Sequence, residues 1–230
     1  MHKLESISDQ IRLSFDARTT ARDRALAQTR QLTRACSLAI RAVHRDESQV
    51  MNEHLEEAHK LAESLKRGLA DYPDLFYAGY TQDALKEFVE ANVTCALIQN
   101  RPLLTPDELG VSGSTYLNGL AEVVGELRRR TLDILRHGYS QEAERLLGIM
   151  DDIFSVLVTM DYPDAITNGL RRQTDLARSI IEKTRGDITF SLRGEHLEQA
   201  IRRLGDQLND GGPQAGPRGE QSILPSDPEE

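Results

Sequence analysis

Two pairs of glutamates stand on segments that otherwise read as buried helix. Glu87 and Glu90 lie three residues apart in Asp83-Ala84-Leu85-Lys86-Glu87-Phe88-Val89-Glu90-Ala91. Glu122 and Glu126 lie four apart in Leu120-Ala121-Glu122-Val123-Val124-Gly125-Glu126-Leu127. Those spacings project each pair from one face of its helix. If the two helices meet, four acids converge, and such a cluster repels itself until protons or a divalent cation neutralise it. A ligand set made only of carboxylate oxygens favours a hard cation, Mg2+ or Mn2+. An ion of that kind polarises a phosphodiester and activates water. Hydrolysis of RNA or DNA is therefore the chemistry these residues suggest.

The surroundings of each pair leave a second reading open. From Ala84 to Ile98 only Lys86, Glu87 and Glu90 are charged. A helix apolar almost all round is usually buried, so the two acids need a partner, a proton or a metal. The alternative is a solvated bundle edge with Asp83 and Lys86 beside them. On the second segment Leu120, Val124 and Leu127 mark the core face, and Glu122, Glu126, Asn118, Arg129 and Asp133 lie opposite. Here the alternative is surface ion pairing of Glu126 with Arg129 and Arg130, worth a few tenths of a kcal/mol each. Gly119 and Gly125 flank the polar stripe. Glycine inside a helix costs about 1 kcal/mol against alanine, which points to close approach of another helix or a ligand.

Other residue types narrow the chemistry. No G-x-S-x-G, P-loop or G-x-G-x-x-G occurs. Cys36 and Cys95 sit in apolar runs and read as small buried hydrophobes. His44, His54 and His59 fall within sixteen residues, a spacing that suits helix-surface positions better than a metal site. Arg128, Arg129, Arg130, Arg171, Arg172 and Arg178 fall near the acid-bearing helices and could hold phosphates. The net charge of -9 argues against a uniformly basic nucleic-acid coat, not against a local patch. No apolar run is long enough to span a membrane, and the start Met1-His2-Lys3-Leu4-Glu5 lacks a signal-peptide core. A cytoplasmic protein is expected.

The elements that must position the acids follow the 3.6-residue period throughout. Helices are predicted over about 4–45, 48–70, 81–99, 114–136, 141–160, 163–184 and 187–208. Thr105-Pro106-Asp107-Glu108 reads as a capping box opening a further short helix, and Ser140 as the cap of the helix from 141. No stretch sustains strand alternation. The expected architecture is all-α, an antiparallel bundle of about seven helices over residues 1–208. Pro213, Pro217, Pro225 and Pro228 with Gly211, Gly212 and Gly216 predict a disordered tail over 209–230.

At these residues the sequence resembles the translin family, and more its translin-associated factor X branch than translin itself. The resemblance covers about residues 5–208. It is carried by Tyr80-x-x-Asp83-Ala84-Leu85-Lys86-Glu87-Phe88-Val89-Glu90-Ala91, by Leu104-Thr105-Pro106-Asp107-Glu108-Leu109-Gly110, and by Thr115-Tyr116-Leu117-Asn118-Gly119-Leu120-Ala121-Glu122-Val123-Val124-Gly125-Glu126-Leu127-Arg128. Leu170-Arg171-Arg172-x-x-Asp175-Leu176-Ala177-Arg178 and Arg185-Gly186-Asp187 also fit. The resemblance implies a seven-helix fold that assembles into hollow oligomers, commonly octamers. It implies binding of single-stranded RNA and DNA and, for the factor X branch, Mg2+-dependent cleavage of single-stranded RNA. The branch's catalytic acids fall on Glu87, Glu90 and Glu122, with Glu126 beside them. Where the branch commonly has Asp, this chain has Glu122, one methylene longer. Translin lacks the Glu87 and Glu90 pair, so its presence here favours catalysis.

The leading expectation is a metal-dependent endoribonuclease built as a homo-oligomer. Glu87, Glu90 and Glu122 would ligate Mg2+ or Mn2+, Glu126 would support or share the shell, and arginines would grip phosphates. The rival is a translin-like shell that binds single-stranded RNA or DNA without cutting it. A helical scaffold whose acids are only surface ion pairs is the third.

Overall fold

The structure, a computed structural model, describes residues 2–210. Among them are six long helices and three single turns. The first helix, α1 (His2–His44), runs 43 residues through a stretch with no glycine or proline. It ends where Asp46 takes φ +59°, a conformation that Asp tolerates better than most residues. Next come α2 (Ser48–Gly68), the single turn α3 (Pro73–Phe76) and α4 (Gly79–Ile98). Asn100, at φ +54°, breaks the chain before Pro102. The turn α5 (Pro106–Leu109) opens with the predicted capping box: Thr105 accepts from the Glu108 amide while the Glu108 carboxylate accepts from the Thr105 amide. Ser112 caps α6 (Gly113–Leu135) and Ser140 caps α7 (Gln141–Val158). After the turn α8 (Asp164–Thr167), α9 (Leu170–Asp210) runs 41 residues.

The long helices form two groups that share a seam. In the first, α1 lies against α2 and α4; in the second, α6 lies against α7 and α9. Contact of α4 with α6 joins them. This explains why α4 is apolar on nearly every side: ten of its residues are buried, Leu85, Phe88 and Val89 among them. Each such side chain contributes about 1.5–3 kcal/mol when fully buried. The seam is tightest at Gly119. A Cβ there would lie 2.7 Å from Val89 Cβ and 2.9 Å from the Lys86 carbonyl. The expectation of close helix approach is met at Gly119. It is not met at Gly125, where nothing lies within 4 Å.

Two sequence expectations about the C-terminal half are corrected. The helix predicted over 163–184 is broken at Asn168 and Gly169, which take φ +56° and +84° and end α8. The two last predicted helices are one, because α9 continues through Arg185-Gly186-Asp187. Ile181 and Thr184 before that glycine and Ile188 after it are all buried, and that packing outweighs the cost of one helical glycine. The tail predicted from 209 lies outside the described residues, except Asn209 and Asp210, which end α9. No helix among the described residues is long and apolar enough to cross a membrane.

Candidate metal centre

The seam between α4 and α6 carries the acids. Glu87 and Glu90 flank Val89, the residue against which Gly119 presses, and Glu122 follows Gly119 by one turn. The close approach thus sets Glu122 opposite the other two. One carboxylate oxygen from each of Glu87, Glu90 and Glu122 lies within 4.8 Å of the others, close enough to share a cation. All three are partly buried. The extra methylene of Glu122 does not take it out of the group.

Their electrostatics follow from that placement. Burial pushes the Glu90 carboxyl up to about 8, and the charges of Glu87, Glu122 and Glu126 push the same way. Glu87 is also raised, first by burial and then by Glu122. The site thus has more negative charge than its surroundings neutralise, the condition in which a bound cation is stabilising. A hard, oxygen-ligated divalent ion fits this donor set. Cys36 also faces the acids. Burial, then Glu87 and Glu90, raise its thiol far above the ordinary range, so it is a protonated apolar neighbour. Burial likewise pushes Cys95 up to about 12. Both cysteines are free and buried, as the sequence suggests.

Glu126 stands apart from the trio in its bonding. Its Oε2 accepts from His44 Nε2 at 2.6 Å and lies 3.5 Å from Arg129. The His44 hydrogen bond holds the Glu126 carboxyl below its usual range. Its charge still reaches Glu87 and Glu90. His44 is almost fully buried, with Nδ1 unpartnered. His59 bonds Asn92 at 2.9 Å and packs edge-on against Phe88. The expectation of surface histidines is therefore wrong for His44 and His59, and only His54 pairs locally, with Glu57.

Lys86 and Gln173 complete the site; the sequence reading places Lys86 only beside Glu87 and Glu90 on a solvated edge and gives Gln173 no role. Lys86 Nζ donates to Glu122 Oε1 at 2.8 Å, and Gln173 Nε2 approaches the same oxygen at 3.4 Å. Burial opposes the Lys86 charge, yet the Glu122 hydrogen bond and the charges of Glu122, Asp83 and Glu87 hold its pKa above the ordinary value.

The six arginines singled out in the sequence do not form one cluster. Arg128 binds Asp187 at 2.8 Å and Thr184 at 3.0 Å. Arg129 pairs with Glu126, and Arg130 with Asp46 at 2.8 Å rather than with Glu126. Arg178 lies over the Phe154 ring at 5.3 Å. Arg171 and Arg172 are exposed at the start of α9, without an acidic partner among the described residues.

No protein-family model matches the chain. An uncharacterised protein of Methanocaldococcus jannaschii is 31% identical over 188 residues, 80% of this chain and 82% of that protein. Among solved translin-type structures, AfC3PO in complex with duplex RNA has a TM-score of 0.75 at 30% identity, covering 81% of this chain and 96% of that one. The crystal structure of AfC3PO alone gives 0.75 at 28% identity, over 81% and 97%. Apo-NeC3PO, at 21% identity and a TM-score of 0.73 over 80% and 96%, shares the all-α fold.

Proposed function

Because this chain belongs to the translin family, we propose that it is a metal-dependent endoribonuclease acting on single-stranded RNA. The observation that carries the reading is the convergence of Glu87, Glu90 and Glu122 within 4.8 Å. Mg2+ or Mn2+ held there would polarise the scissile phosphodiester and lower the pKa of a bound water. The chain's own residues do the rest. Glu87, Glu90 and Glu122 supply the oxygens. Glu126, kept ionised by His44, would orient water or share in holding the ion. Arg171 and Arg172 are the free phosphate contacts among the arginines that the sequence singles out. AfC3PO is solved with duplex RNA, which supports RNA as the ligand class.

Assembly belongs to the same proposal. Leu4, Ile7, Ile11 and Phe15 are exposed on the first half of α1, and Phe190, Leu197, Ile201 and Leu204 on the second half of α9. Neither stripe has a partner within the described chain, and both suit contacts between copies in a hollow homo-oligomer, an octamer by family resemblance.

One observation favours the second reading, a shell that binds single-stranded RNA or DNA without cutting. Lys86 already supplies Glu122 with a positive partner. The deciding experiment is cleavage of a labelled single-stranded RNA in Mg2+ and in EDTA, with Glu87→Ala/Glu90→Ala alongside. Products that need metal and vanish in the double variant are expected. Bound but uncut RNA would overturn the nuclease reading in favour of the binding shell.

A further inference from the structure

The chain carries a net charge of -9, yet from Arg24 to Arg45 it contains five arginines and no acid. Three of them, Arg30, Arg34 and Arg41, fall within about 40° of arc on α1 and span about 17 Å of its length, and Arg45 follows in the turn after His44. All four are exposed, and none has an acidic partner among the described residues. The arginines at the seam are used differently, since Arg128, Arg129 and Arg130 are all ion-paired. The α1 positions three and four residues from Arg30, Arg34 and Arg41 include Gln31, Thr33, Ser37 and His44 and hold no acid. Asp46, next to Arg45, is turned to Arg130.

On α1 the stripe adjoins the edge that faces the acid site of α4 and α6. Thr29 and Thr33 line a cleft with Arg30, Tyr80 and Glu87. Cys36 lies close enough to Glu87 and Glu90 to feel their charge, and His44 bonds Glu126. These residues form the edge of α1 that looks onto the acids, and the arginines form the next edge outward. A polyanion drawn to the seam meets repulsion from the carboxylates, so a flanking row of cations is needed to hold it. Guanidinium groups suit that task, since each can bind a phosphate through two parallel hydrogen bonds.

We propose that Arg30, Arg34, Arg41 and Arg45 form a phosphate track that lays a single RNA strand along α1, with the acid cluster at its inner edge. The inference rests on the RNA-cleaving reading for its ligand, but its test needs no cleavage. Binding of a labelled single-stranded oligoribonucleotide is followed by fluorescence anisotropy in EDTA across a salt series. Wild type is compared on the full chain with two variants: R30Q/R34Q/R41Q/R45Q, and K60Q/R67Q/K183Q/R193Q, which loses the same charge from exposed positions elsewhere. The track variant should lose at least tenfold in affinity, and its log–log salt slope should shrink by about 3, at about 0.7 per lost phosphate contact. The charge-matched control should keep both, and circular dichroism should report equal helicity. Equal losses in the track variant and the charge-matched control, an unchanged slope in the track variant, or no salt-dependent binding by wild type would each overturn the track. If wild type binds through the track but gives no products with Mg2+, the nuclease reading fails and the track stands. If wild type cuts RNA while the track variant binds normally, the reverse holds.

Discussion

The Lys86 ammonium donates to Glu122 Oε1 across the seam between α4 and α6 at 2.8 Å, so one acid of the cluster already has a cation. A divalent ion held at the site, as proposed, would compete with that ammonium for Glu122. Lys86→Met should therefore tighten Mn2+ binding in the absence of RNA by roughly tenfold, the scale of one opposite charge at contact. Isothermal titration of Mn2+ into both proteins checks this. Equal affinities would mean that Lys86 and the ion do not share Glu122.

Gly119 and Gly125 make a matched pair on one helix. Gly119→Ala gains helix propensity but drives a methyl group into Val89 and the Lys86 carbonyl. We expect a net loss of about 1–3 kcal/mol, typical of overpacking, together with weaker metal binding as Glu122 moves away. Gly125→Ala meets open space and should stabilise by about 0.5–1 kcal/mol. Urea melts of the two variants give the comparison, and a neutral Gly119→Ala would remove the seam as the feature that sets the site.

The raised carboxyl of Glu90 makes stability depend on pH. Its folded pKa, about 8, lies above the ordinary carboxyl value. The folded state therefore holds a proton that the unfolded state releases. That contribution is complete below about pH 4.5 and is lost as pH rises through about 8. In EDTA, Glu90→Gln should match wild type near pH 5 and melt higher than wild type near pH 9, by about 2–4 °C for each kcal/mol recovered. Mg2+ should reverse the order, since a ligand of the native state raises only the melting temperature of the protein that binds it. Parallel melting curves at both pH values would contradict this account.

Glu126 behaves in the opposite sense. The hydrogen bond from His44 lowers its folded pKa. Its contribution to stability is present above the ordinary carboxyl value and is lost as pH falls through the lowered one. His44→Phe keeps bulk but removes the donor, at a cost of about 1–3 kcal/mol for a stranded, partly buried carboxylate. The Glu126 carboxyl should then titrate higher, as read by carbon NMR of labelled glutamate. An unmoved titration would assign the lowering to Arg129 instead.

How far the site can be read from sequence depends on the separation of its partners. Glu87 and Glu90 declare themselves because two acids three residues apart on an otherwise apolar helix must be neutralised by something. Gly119 points to the seam because a helical glycine needs a reason. The links from Lys86 to Glu122 and from His44 to Glu126 span 36 and 82 residues, and no local pattern encodes them. Asn168-Gly169 carries a turn signal that splits the predicted helix over 163–184. Arg185-Gly186-Asp187 carries a misleading one, overridden by burial on both sides. The acid-free run from Arg24 to Arg45 is plain in the sequence, but its meaning needs the fold, which shows which edge of α1 adjoins the carboxylates.

Because α9 passes Gly186 without a break, it is one rod of about 60 Å. Near one end Gln173 reaches Glu122, and toward the other lie the exposed Phe190, Leu197, Ile201 and Leu204. A rod transmits rotation. Whatever clamps the far end would also fix the angle at which Gln173 meets the carboxylate, so in the proposed assembly a neighbouring subunit some tens of ångströms away would have mechanical leverage on the acid cluster without touching it.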